Sequence, residues 1–90
     1  MQTHELKTHG RYFEAVERGE KTFEVRRNDR AFQTGDIIEL VKTDDRGNYE
    51  FKPKTHFEKV TLRFRISYLL QGGQFGIEPT YCVLGLAPAP

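Results

Sequence analysis

Three charged residues fall close together in the stretch GEKTFEVRRNDR: Lys21, Glu24 and Arg26. An ammonium, a carboxylate and a guanidinium at this spacing can serve one ligand. The two cations donate to phosphate or base acceptors, arginine through a planar fork. The carboxylate accepts from an amino group, holds the arginine in place, or orients a water as general base. The stretch reads as a strand, where side chains alternate faces and same-face neighbours lie about 7 Å apart. Phe23 and Val25 take one face, expected to be the buried one. Thr22, Glu24 and Arg26 form a polar stripe on the other, and Lys21 leans its long stem over the mouth of the fold. The pattern alone leaves two readings open. One is a solvated strand face, whose exposed ion pairs contribute only ~0–1 kcal/mol. The other is a set of charges aimed at a ligand.

The elements around the stretch must position it. HELKTH reads as a first strand with Leu6 as its inward anchor. Tyr12, Ala15, Val16 and Gly19 then fall at helical spacing, with Thr8 placed to cap the helix and Gly19 to close it. KTFEVRR follows as a strand, the Gly35-Asp36 pair turns the next loop, and DIIELVK is another strand. TDDRGN has hairpin chemistry, with YEFK as its returning arm and PKTHFEK as an irregular connection. In VTLRFRISYLL, Val60, Leu62, Phe64, Ile66, Tyr68 and Leu70 alternate with mostly polar positions, which predicts a long half-buried strand. The glycine-rich QGGQFGIEPT breaks that pattern before a final strand, YCVLGL, and residues 87–90 read as a frayed tail. The 90 residues suit one domain, residues 1–90. The order is strand, helix, then four or five mostly antiparallel strands. Sheet-rich chains of this size tend to curl into small barrels, which removes open edges.

The bulk charge narrows the function. Fourteen basic and thirteen acidic residues give a net charge of +1, which argues against non-specific duplex DNA binding. A nucleic-acid role has to use a local cluster or a small ligand. The one cysteine, Cys82, allows no internal disulfide and favours a reducing cytoplasm. It lies in an apolar strand and reads as core rather than nucleophile. No apolar signal region and no run near the ~20 apolar residues of a membrane span is seen, so a membrane partner is not expected. His4, His9 and His56 match no zinc spacing, and no metal or cofactor is implied. His4 and His9 read as packing residues or as cleft lining. Arg63 and Arg65 share the wet face of the long strand. With Lys59 and Lys52 or Lys54 they can form a basic patch, or a solvated face balanced by Glu50 and Glu58.

The motif G-x-K-x-x-E-x-R, spelled by Gly19, Lys21, Glu24 and Arg26, comes after a short helix and precedes the Gly35-Asp36 turn. It resembles the ASCH domains of the PUA-like superfamily. The likeness is strongest to a short bacterial and phage branch classed as a domain of unknown function. His4 to Lys7, Gly19 to Asp36, Leu69 to Gly73, Phe75-Gly76 and Tyr81 carry it over nearly the whole chain. The resemblance implies an α+β fold, a small PUA-like, mostly antiparallel β-barrel with one principal helix. It implies a cleft between helix and strands that takes RNA or a nucleotide- or nucleoside-like molecule. Lys21, Glu24 and Arg26 carry over as cleft residues, Asn28 and Asp29 as a polar rim, and Gln71, Gly72 and Gly73 as part of the wall. Some ASCH-like proteins are amidohydrolases that deacylate a modified cytidine, with a K-T-x-T-x-R strand and a distant Glu. Here Glu24 replaces the second Thr, Thr22 keeps a hydroxyl, and Glu78 is the candidate for the distant Glu. That implies an alternative enzymatic reading with Lys21 and Glu24 activating water. A third reading is a protein-interaction module.

Overall fold

The computed structural model describes all of residues 1–90. Its elements are β1 (Thr3–His9), α1 (Gly10–Glu17), β2 (Phe23–Arg27), β3 (Ile37–Thr43), β4 (Thr61–Gln71) and β5 (Tyr81–Pro88). They form one five-stranded mixed sheet in the order β1-β3-β4-β5-β2. β1 and β3 pair in parallel, and the other three pairings are antiparallel. A parallel pair needs a long crossover, and here α1 and β2 lie within it. The fold is α+β, a sheet curled into a half-barrel around one short helix.

The barrel does not close as expected. β1 and β2 stay at opposite ends of the strand order, with no ladder between them. Side chains bridge their facing edges instead. Arg26 donates to the Lys7 carbonyl at 2.9 Å and Arg30 to the Glu5 carbonyl at 2.6 Å. This guanidinium-bridged seam is the feature that matters most for the site.

The core inside the curl gathers Leu6, Phe13, Val16, Phe32, Ile38, Leu40, Ile66, Cys82 and Leu84. Each large apolar side chain buried there contributes about 1.5–3 kcal/mol. Cys82 is core, as its apolar strand suggested. Burial pushes its thiol pKa up, and the charge of Asp29 adds to the effect.

Several local expectations need correction. α1 buries Phe13 and Val16 rather than a face centred on Tyr12, so the Tyr12 ring is left at the helix edge. Thr8 does not cap the helix: His9 holds the N-cap position without a side-chain bond, and the Thr8 hydroxyl is turned to the Leu6 carbonyl. Gly19 does close α1, at φ 77°, its N–H bonded to the Val16 carbonyl. Alternation in β4 holds only to Ile66. Ser67 is an extra residue between the Ile66–Leu86 and Tyr68–Gly85 pairs, and such a bulge reverses the facing of the residues beyond it. Tyr68 is therefore 68% exposed and Leu69 packs on the core instead. YEFK makes only the single bridges Thr43–Tyr49 and Phe51–Lys59. β5 runs to Pro88, which pairs with Phe64, so regular pairing extends into the expected tail.

Candidate functional site

β2 is inverted relative to its hydrophobic pattern. Phe23 and Val25 are 43% and 50% exposed, whereas Glu24 is 4% exposed. The cross-strand pairs agree: Glu24 lies opposite Leu84, and Arg26 opposite Cys82, both core residues of β5. A lone carboxylate is costly to bury, but one held by opposite charges and hydrogen bonds is not. Glu24 has both. Lys21 Nζ donates to Oε1 at 2.6 Å, and Arg26 approaches Oε2 through Nε at 3.2 Å and Nη2 at 3.1 Å. The apolar residues moved outward because the charged ones found partners inside.

The chain after α1 delivers the ammonium. The amides of Glu20 and Lys21 both donate to the Ala15 carbonyl, at 3.0 and 3.1 Å. This folds Lys21 back beneath the helix, with Nζ 5.7 Å from the centre of the Tyr12 ring and 2.6 Å from the Phe23 carbonyl. The Lys21 side chain keeps 19% of its surface and that of Arg26 23%, against 6% for Glu24. Tyr12, Lys21, Glu24 and Val25 line a hollow of about 330 Å³ at the open end of the seam. Arg26 does not line it; it holds Glu24 and donates also to the Thr8 hydroxyl at 3.1 Å.

The chain matches the family described as Domain of unknown function (DUF3850) over residues 3–86. It belongs to that family. No curated protein matches it. The DUF3850 match spans the half-barrel up to residue 86 of β5 and all the expected site residues.

Those residues do not all meet at the mouth. Lys21 and Glu24 line it, and Arg26 pairs with Glu24 without lining it. Asn28 instead donates to the Gln71 side chain at 2.9 Å on the exposed surface, and neither residue lines a hollow. Gly72 and Gly73 build the turn after β4. A Cβ on Gly72 would fall on the carbonyl oxygens of Glu78 and Tyr81, while Gly73 has φ 86°. Asp29 lies beside Arg26 and Arg30 in a smaller hollow of about 110 Å³. Thr22 is exposed, and Glu78 lines a shallow depression with Val25, Ile77 and Tyr81. On β4, Arg63 has Glu39 at 3.9 Å, while Lys59 pairs with Glu5 and Lys52 with Glu58. Arg65 shares the Arg63 face and is half-buried.

A wider hollow, about 740 Å³, lies between the start of α1 and the 44–48 turn, lined by polar and charged groups alone. Within it Lys42 pairs with Glu14 and Glu50, and His9 Nε2 lies 2.9 Å from Asp45, while His9 Nδ1 is buried without a partner and Arg11 and Arg46 make no ion pair. No hydrophobic residue lines it. No three His, Cys, Asp or Glu side chains are grouped to hold a metal ion. No helix is long and apolar enough to cross a membrane.

Sequence reasoning missed two residues of the site and one buried carboxylate outside it. Tyr12 was assigned to the core face, and only its amphipathic ring hinted at a wet edge. Arg30 stood in a loop without a pattern. Asp36, read as a turn residue, is 5% exposed and accepts from His4 Nε2 at 2.9 Å and from the Gln2 and Gln33 amides at 3.1 Å each. Burial opposes its ionisation, but these bonds outweigh that and hold its pKa below the ordinary 3.8. His4 is thus a packing residue, edge-on to Phe32 at 4.8 Å.

Proposed function

We propose that the mouth of the seam binds RNA or a nucleotide-like molecule, and that the curled sheet is a PUA-like, ASCH-type barrel. One observation carries the reading: an ammonium and a carboxylate line one hollow whose rim is a half-exposed tyrosine ring, and the Arg26 guanidinium holds that carboxylate. The ring offers a base a stacking surface. Lys21 spends two of its three N–H donors internally, which leaves one for a ligand acceptor. Glu24 retains lone pairs for a base amino group. Partial burial strengthens such charge-assisted bonds. The resemblance to ASCH domains supports the same ligand class, and a cytoplasmic location goes with it.

The 2.6 Å contact of Lys21 with Glu24 beside the hollow also suits a second reading, hydrolysis of an amide on an acylated cytidine with water activated at Glu24. Calorimetric titration with nucleosides, nucleotides and short RNA, run beside a turnover assay on acylated cytidine, separates the two. Saturable binding without turnover, weakened by Lys21→Ala, is the expected result. Turnover abolished by Lys21→Ala would make the protein an enzyme. Neither binding nor turnover would end both readings.

A further inference from the structure

The hollow of about 110 Å³ lies on the far side of the Glu24–Arg26 pair from the mouth. It is lined by Leu6, Arg26, Arg27, Asp29, Arg30 and Phe32. Leu6 and Phe32 are buried and form an apolar floor. The two seam-bridging arginines form its walls, and each is anchored by only part of its fork. Arg26 bonds through Nε and Nη2, and its Nη1 makes no bond. Arg30 donates from Nη1 to Glu5, and its Nη2 makes none. Their anchors, the Lys7 and Glu5 carbonyls, are two residues apart on β1, about 7 Å along a strand. The two guanidiniums are therefore held at neighbouring places along the seam with donors to spare. Arg27, 5.7 Å from the Tyr81 ring centre, adds positive charge at the rim. Asp29 is the one opposing charge.

We infer that this hollow is an oxyanion subsite for the phosphate of a nucleotide whose base occupies the mouth, an inference that rests on the nucleotide-binding reading of the mouth. Its volume, about 110 Å³ against about 330 Å³ for the mouth, suits one tetrahedral oxyanion better than a base. Planar guanidinium forks match phosphate oxygens in pairs. Glu24 and Arg26 are two residues apart on one strand, so mouth and subsite adjoin across a single ion pair. A nucleoside fills only the mouth, and a nucleotide or an RNA backbone fills both.

The test is an NMR titration of the whole chain at fixed ionic strength, reading backbone amides and arginine side chains. Inorganic phosphate, a nucleoside, its monophosphate and a short RNA are added separately. Phosphate is expected to shift Arg26, Arg30 and Phe32 saturably. The monophosphate is expected to bind about tenfold tighter than the nucleoside, as one charge-assisted contact provides. Arg30→Lys should remove most of that gain. Asp29→Asn, which removes the opposing charge and its 3.8 Å contact with Arg30 Nε, should tighten phosphate binding. Unmoved arginine signals, or phosphate affinity indifferent to both variants, would overturn the subsite. Nucleoside shifts at Tyr12 and Val25 with no phosphate response would sink the subsite alone. A phosphate response with no nucleoside response would sink the reading of the mouth and leave the oxyanion site standing.

Discussion

Arg26 reaches from β2 across the open seam and donates to the Lys7 carbonyl at 2.9 Å, while the same guanidinium pairs with Glu24 at 3.1 Å. One side chain thus latches the two free sheet edges and fixes the carboxylate of the candidate site. The half-barrel and its mouth are held by the same bonds, so stability and binding are coupled here.

Replacing Arg26 with Lys keeps the charge and loses the fork. A single ammonium cannot reach Glu24, the Lys7 carbonyl and the Thr8 hydroxyl together. The expected loss is about 1–3 kcal/mol, seen as a lower urea midpoint at unchanged slope. An unchanged midpoint would show that the seam does not depend on the latch.

Glu24→Ala leaves Lys21 and Arg26 facing each other without their shared counter-ion. Removing one partner of a fully buried pair costs about 3–5 kcal/mol. Both cations keep some water here, so about 1–3 kcal/mol is expected. Glu24→Gln, which retains shape and an acceptor, should cost less. Equal midpoints for wild type and Glu24→Ala would mean that the inward carboxylate contributes nothing to the fold.

Asp36 predicts a pH dependence. Its pKa is lower in the folded chain than the ordinary 3.8, so the unfolded state binds a proton more readily. Its contribution is fully present above that ordinary value and is lost as pH falls through the lower folded value. Thermal melts from pH 6 down to pH 2 should show a steeper acid loss for wild type than for Asp36→Asn. Parallel profiles would contradict the assignment.

Gly72 packs its Cα against backbone, and a methyl there collides with the carbonyls of Glu78 and Tyr81. Gly72→Ala is expected to cost about 1–3 kcal/mol or more, measured by denaturant unfolding. Gly76→Ala is a useful contrast, since nothing lies near its Cβ position and the cost there comes from φ 77° alone. A smaller loss for Gly72→Ala than for Gly76→Ala would be the contrary outcome.

Element types and their order along the chain were legible wherever pattern and burial coincide. Leu6 anchors β1, Gly19 ends α1, and Val60 to Ile66 face the core side of β4. The pattern failed where a local event overrode it. One extra residue at Ser67 turned Tyr68 outward. In β2, the pairing of Glu24 with two cations let an acidic residue lie inside while Phe23 and Val25 lay outside. Alternation gives two possible faces for a strand but not which one is wet, and here partner charges decided it. The pairing of Glu24 with Arg26 was foreseeable from their spacing. Tyr12 and Arg30 join only through tertiary folding, by the Ala15 turn and the Glu5 carbonyl.

The most direct test of ligand binding at the mouth is amide chemical-shift mapping with a panel of nucleosides, nucleotides and short RNAs. Saturable shifts centred on Tyr12, Lys21, Glu24 and Val25 are predicted, strongly reduced in folded Lys21→Ala. Shifts confined to the Arg63 and Arg65 face of β4, or no saturable shift with any member of the panel, would contradict it.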